Sequence, residues 1–173
     1  SNHLESITEK LRDIENLPAD ERQLMLELLT PVALSYRRKE IDLLSSGIST
    51  SACWKVSRGL RDIFNFLLER INLETPFEAH LIEGQFGDSG LADHSWVAVA
   101  PRGIVGSGVI TEEMVEKMNA TGVIFDVTAD QFGRWRELSG RVRRQIQEPM
   151  VAIFADNQSL GELYHPISIS RVA

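Results

Sequence analysis

The stretch PFEAHLIEGQFGDSGLADHSWVAVA, residues 76–100, carries the decisive change of pattern in this chain. From Phe77 to Phe86 and again from His94 to Ala100, apolar residues alternate with polar or small ones, as half-buried strands require. Gly87 to Asp93 is a polar, glycine-containing connection, so the two strands read as antiparallel neighbours. Side chains repeat with period two, which places His94 and Trp96 on one face. The indole is then positioned to wall off the imidazole from water.

Upstream the period is helical. Val56, Leu60, Ile63, Phe64, Leu67 and Ile71 follow Cys53 at helical spacing, and the loop Ser45 to Ser51 precedes it, with Ser51 as N-cap. Cys53 therefore falls in the first turn of a buried helix. Its side chain and the unpaired backbone N–H groups share that end, where negative charge is favoured. A further apolar pattern at Leu4, Ile7, Leu11 and Ile14 predicts an earlier helix, with Pro18 either ending it or beginning the next. Between Leu24 and Leu44 the leucines are too dense to define one face, and Pro31 is expected to kink or split the segment. Arg37, Arg38 and Lys39 read as its solvated face.

Downstream, Thr111 to Ala120 is a short amphipathic helix, and Val123 to Val127 is a third strand with Asp126 near its end. Gln131, Phe132 and Trp135 suggest a turn folding back on the sheet, Glu137 to Gln147 a polar helix, and Met150 to Phe154 another strand. Arg134, Arg136, Arg141, Arg143 and Arg144 read as a solvated helix face with paired charges, with a surface for an acidic substrate or partner as the alternative. The expected class is α+β: a Cys-bearing helix packed on an antiparallel sheet, with residues 1–47 as an N-terminal helical extension and 48–173 as the main domain, together one globular unit.

Composition narrows the function classes. The 173 residues are 43% hydrophobic and 25% charged, with a net charge of -7, ample for a core and opposed to nonspecific nucleic-acid binding, which needs excess Lys and Arg. The one cysteine excludes an intramolecular disulfide, and no CxxC or Cys/His cluster suggests zinc; no metal or cofactor is expected. No apolar run approaches the roughly 18 residues of a membrane span, so no membrane partner is expected. A cytoplasmic location is the default, with secretion as an effector open to a chain that is part of something longer. The sequence leaves oligomeric state open.

Cys53, His94 and Asp126 are the residue types of a thiol acyl-transfer triad. A thiol is a good nucleophile only as thiolate, which a helix start and a neighbouring imidazolium both favour, and the imidazole needs a carboxylate to fix its tautomer. His80 alternates within a strand as a structural or exposed residue, and His165, beside Pro166, reads as a loop residue.

Ala52-Cys53-Trp54 opening a helix, His94-Ser95-Trp96-Val97 opening a strand, and Phe125-Asp126-Val127-Thr128 followed by Gln131-Phe132 resemble the transglutaminase-like branch of the papain-like cysteine enzymes, including bacterial transglutaminase-like cysteine peptidases. The resemblance covers roughly residues 50–135 and implies a papain-like/transglutaminase-like core with Cys53 as nucleophile, His94 as acid and base, and Asp126 as its orienting carboxylate. It implies a peptide or protein substrate and a thioester intermediate. A cysteine peptidase or amidohydrolase is the leading expectation; a protein glutamine deamidase or transglutaminase, or a catalytically idle interaction module, are the alternatives. Two departures stand out. The span from His94 to Asp126 must hold the Thr111 to Ala120 helix, as a lid or as decoration. No glutamine shortly precedes Cys53, so the Cys53 backbone N–H is the first oxyanion donor, with Gln85 and Gln131 as weaker side-chain candidates. Trp96 is a candidate wall, and Trp54 a weaker one that reads more naturally as core.

Overall fold

The computed structural model describes residues 21–41, 53–87, 92–104, 108–129, 153–156 and 163–170. Among the described residues, three helices and six strands make an α+β fold: α1 (Glu21–Ile41), α2 (Cys53–Leu68), β1 (Phe77–Phe86), β2 (Ala92–Pro101), β3 (Gly108–Val109), α3 (Glu112–Thr121), β4 (Val123–Asp126), β5 (Ile153–Asp156) and β6 (Tyr164–Ser170). The strands form one antiparallel sheet in the order β3-β6-β1-β2-β4-β5.

The β1–β2 ladder is the backbone of the sheet. It pairs Phe77 with Pro101 at one end and Phe86 with Ala92 at the other, so that Gly84 lies opposite His94 and Ile82 opposite Trp96. α2 packs on this pair. Leu60 and Phe64 are fully buried there, and Phe64 meets Phe125 of β4 edge-on at 5.0 Å between centroids. Asn65 fastens the helix to the sheet by binding both backbone groups of Ala79, donating to its carbonyl at 2.9 Å and accepting from its N–H at 2.7 Å. Those two bonds anchor the C-terminal end of α2 to β1.

α1 contacts α2, β4 and β5. Pro31 does not split it: the helix is continuous from Glu21 to Ile41. Both Pro31 and Glu27, whose carbonyl loses its helical donor to the proline, are exposed, so water can serve the orphaned group. Tyr36 of α1 occupies the space where a side chain on Gly59 of α2 would stand, which accounts for a glycine in mid-helix despite its cost of about 1 kcal/mol. Arg37 corrects the expectation of a solvated basic face. It is 3% exposed, and its Nη1 donates to the backbone carbonyl of Val127, while Arg38 and Lys39 are exposed as expected. The helix rotation explains the difference, since Met25, Leu29, Ala33 and Arg37 recur every four residues on the buried side.

α3 lies one residue beyond its expected start, with Thr111 as N-cap accepting from the Met114 N–H at 3.3 Å. It packs against β2 through buried Met118. β2 begins two residues before His94 and β4 ends at Asp126 rather than Val127. β5 starts at Ile153, three residues after the expected start, and residues 150–152 lie outside the described set, as do the expected helix at 4–14, the loop at 45–51 with Ser51, the turn at 131–135, the helix at 137–147 and its arginines.

The sequence reading has no counterpart for β6. It enters between β3 and β1, and its pairing with β1 steps from Glu83–Ser168 to Gly84–Pro166, so Ile167 is the extra residue of a bulge. A proline without an N–H is accommodated beside such an irregularity. His165 is therefore a strand residue, contrary to its expected place in a loop, with Nε2 2.7 Å from the carbonyl of Gly87.

Candidate active site

The N-terminus of α2, the start of β2, the end of β4 and the start of β6 converge on four side chains: Cys53, His94, Asp126 and Tyr164. His94 Nε2 is 2.7 Å from Asp126 Oδ2. Nε2 faces the carboxylate, and Cys53 in the first turn of α2 lies close enough to the imidazole to favour its charged form. Cys53 is half-buried, whereas His94 and Asp126 are buried.

Asp126 has no freedom to turn away. Its Oδ1 accepts from the Thr128 N–H at 3.1 Å and from Thr128 Oγ1 at 3.3 Å, an Asx-type turn that ends β4. Its Oδ2 accepts from the Tyr164 hydroxyl at 2.6 Å as well as from His94. A fully buried carboxylate thus has donors on both oxygens, which is what makes its burial tolerable. Arg37 holds the carbonyl of the next residue, Val127.

An aromatic box surrounds the imidazole. Trp96 lies 5.8 Å away at a 31° tilt, Phe86 meets the ring edge-on at 6.0 Å, and Tyr164 is at 6.3 Å. Trp96 and Phe86 each pack on Tyr164 at 5.0 Å. Burial in this box disfavours the charged ring and lowers its pKa. The negative charge and hydrogen bond of Asp126, with the Cys53 contact, outweigh burial and push it up to about 9. Near neutral pH the arrangement accordingly favours an imidazolium between a carboxylate and a thiol.

A cavity of about 320 Å³ opens on this pair, lined by Cys53, Glu83, Gly84, Asp93, His94, Ser95, Ile167 and Ser168. The Cys53 thiol and the His94 imidazole are both in its wall. Ser57, one turn after Cys53, donates to the Ser95 carbonyl at 3.2 Å and ties the start of α2 to the strand that carries His94. The Cys53 backbone N–H sits in the first turn, where helical N–H groups have no intrahelical acceptor, as an oxyanion donor must.

The weaker candidates fare differently. Trp96 is 1% exposed and backs the imidazole without lining the cavity. Trp54 is not core: it is 45% exposed, with the Arg58 guanidinium 5.3 Å over its ring, because it points away from the sheet when Cys53 points toward it. Gln85 is half-buried between Asp93 and His165 in the ladder and is absent from the cavity lining. Gln131 lies outside the described residues. No residue of α3 lines the cavity, so this helix is not a lid over it in the described structure. His80 stands 3.2 Å from Glu78.

The residues that sequence reasoning passes over are Tyr164, Arg37, Glu83 and Asp93. Only Arg37 carries a signal, its four-residue spacing from Ala33. Among the described residues no group of three or more His, Cys, Asp or Glu is placed to hold a metal ion, and no helix is long and apolar enough to cross a membrane. Compared with family models, with curated proteins and with solved structures, the chain finds no match.

Proposed function

We propose that this chain is a thiol acyl-transfer enzyme of the transglutaminase-like, papain-like kind, acting as a cysteine peptidase or amidohydrolase on a peptide or carboxamide bond. One observation carries the reading: the His94 imidazole, 2.7 Å from buried Asp126 through Nε2, shares the wall of an open cavity with the Cys53 thiol that favours its charged form. A purely structural histidine has no need of a thiol at a cavity surface on one side and a fully saturated carboxylate on the other.

In this reading the Cys53 thiolate attacks the carbonyl carbon, and the C=O electrons move onto oxygen, held by the first-turn N–H groups of α2. His94 gives its Nδ1 proton to the leaving amine as the C–N bond breaks, leaving a thioester on Cys53. Neutral His94 then takes a proton from water, which adds to the thioester and expels the thiolate. Asp126 keeps Nε2 protonated throughout, so Nδ1 is the atom that exchanges protons. A primary amine in place of water would give transamidation, and a glutamine side chain as the acyl donor would give deamidation.

The test is acylation by p-nitrophenyl acetate. The expected result is a burst of one nitrophenolate per chain with an acetyl group mapped to Cys53, absent in Cys53→Ala and at least tenfold slower in His94→Ala. Absence of acylation in folded wild-type protein, or an equal rate in His94→Ala, overturns the reading. Mass spectrometry of glutamine peptides then separates the outcomes, because deamidation adds about one dalton without chain cleavage.

A further inference from the structure

The hydrogen bonding of Asp126 is unequal in a way the triad alone does not require. Oδ2 accepts two short hydrogen bonds, from His94 Nε2 at 2.7 Å and from the Tyr164 hydroxyl at 2.6 Å, while Oδ1 is used by Thr128. Tyr164 is 3% exposed and lies within the aromatic box, in contact with Trp96, Phe86 and the imidazole itself. The two donors compete for the charge of one oxygen.

We propose that Tyr164 is a positioning residue of this site, whose hydroxyl sets how strongly Asp126 holds the His94 imidazolium and thereby the protonation state offered to Cys53. The proposal rests on the triad reading above for its importance to catalysis. A hydrogen bond to the carboxylate spreads its negative charge, and a carboxylate with less charge on Oδ2 holds a cation less firmly. The phenol cannot become a competing anion: burial, then the Asp126 charge and hydrogen bond, hold it protonated well above its ordinary range. The charged and titratable groups around the imidazole are Cys53 of α2, Asp126 of β4, Tyr164 of β6, and Glu83 of β1 and Asp93 of β2 in the cavity wall. Of these, Tyr164 alone acts on His94 through the Asp126 oxygen.

The test is an NMR titration of the His94 ring in wild type, in Tyr164→Phe, and in protein labelled with 3-fluorotyrosine. The chain has two tyrosines, so a Tyr36→Phe background leaves the fluorinated ring at Tyr164 alone. Removing the hydroxyl returns charge to Oδ2, and the His94 titration is expected to move up by roughly half a pH unit or more. Fluorination makes the phenol a stronger donor at nearly constant shape and moves it down. Opposite shifts are something a merely space-filling phenol cannot produce. An unchanged titration in the fluorinated protein, or a downward shift in Tyr164→Phe, overturns the proposal, and the fluorinated form decides the matter even where the phenylalanine form fails to fold. If the shifts appear in a protein that p-nitrophenyl acetate never acylates, the triad reading fails and the electrostatic role of Tyr164 stands.

Discussion

The indole of Trp96 fills the space that a side chain on Gly84 would need. A Cβ at Gly84 would lie 2.9 Å from Trp96 Cη2 and 2.9 Å from the Pro166 Cα, with the His165 carbonyl closer still. Gly84 is also the residue paired with His94. The glycine is therefore what lets β6, Trp96 and the imidazole stack in one layer. Because two of the three obstacles are backbone, shifting the indole alone cannot make room in Gly84→Ala. It is expected to cost about 2 kcal/mol or more in urea denaturation and to slow Cys53 acylation, whereas a substitution at exposed Arg102 stays within about 0.5 kcal/mol.

Arg37 reaches from α1 to the residue after Asp126. Arg37→Met keeps much of the stem and removes the charged donor, leaving the Val127 carbonyl short of a partner in a buried place. The expected loss is about 1.5 to 3 kcal/mol of stability together with a slower thiol acylation; Lys39→Met, on the exposed side of the same turn, serves as the control with neither effect.

Stability should depend on pH through His94. Its folded pKa of about 9 lies above the 6.5 of an unfolded histidine, so the folded state binds the proton more tightly. The contribution is fully present below pH 6.5 and is lost as pH rises through about 9. It amounts to at most roughly 3 kcal/mol. Urea midpoints measured across this window are expected to fall in wild type and to stay nearly level in His94→Asn. A midpoint that rises over the same range would contradict the assigned charge state.

Two carboxylates, Glu83 and Asp93, share the cavity wall with the thiol. A like charge about 7 Å away in water costs about 0.6 kcal/mol, close to a threefold penalty in rate. Glu83→Gln is expected to speed alkylation of Cys53 by anionic iodoacetate about threefold while leaving neutral iodoacetamide within twofold, and the difference should shrink in high salt. Equal effects on both reagents would show that Glu83 acts on the thiol itself rather than on what approaches it.

The sequence is most legible where one periodicity governs one element. Val56, Leu60, Phe64 and Leu67 announce α2, and the alternation across 77–86 and 94–100 announces the central hairpin with His94 in it. The Cys53, His94 and Asp126 positions follow from those elements, and the structure brings all three together. β6 is hidden because Pro166 argues against a strand, and only the bulge at Ile167 reconciles proline with the ladder. Tyr164 has no local signature, since its importance comes from a carboxylate 38 residues earlier in the chain. Arg37 is masked by its neighbours: in the run Arg37-Arg38-Lys39 only helix rotation tells the buried cation from the exposed ones. Trp54 misleads through its residue type, as tryptophan usually buries most of its surface.

The place of β6 in the sheet has a temporal side. Synthesis proceeds from Cys53 toward Ser170 at about 5 to 20 residues per second, and β6 slots between two strands made long before it, β1 and β3. A nascent chain that already carries Cys53, His94 and Asp126 still lacks the Tyr164 hydroxyl and the Ile167 and Ser168 part of the cavity wall. The thiol is thus translated early, while the wall of the cavity around it is completed only when β6 docks between strands already made.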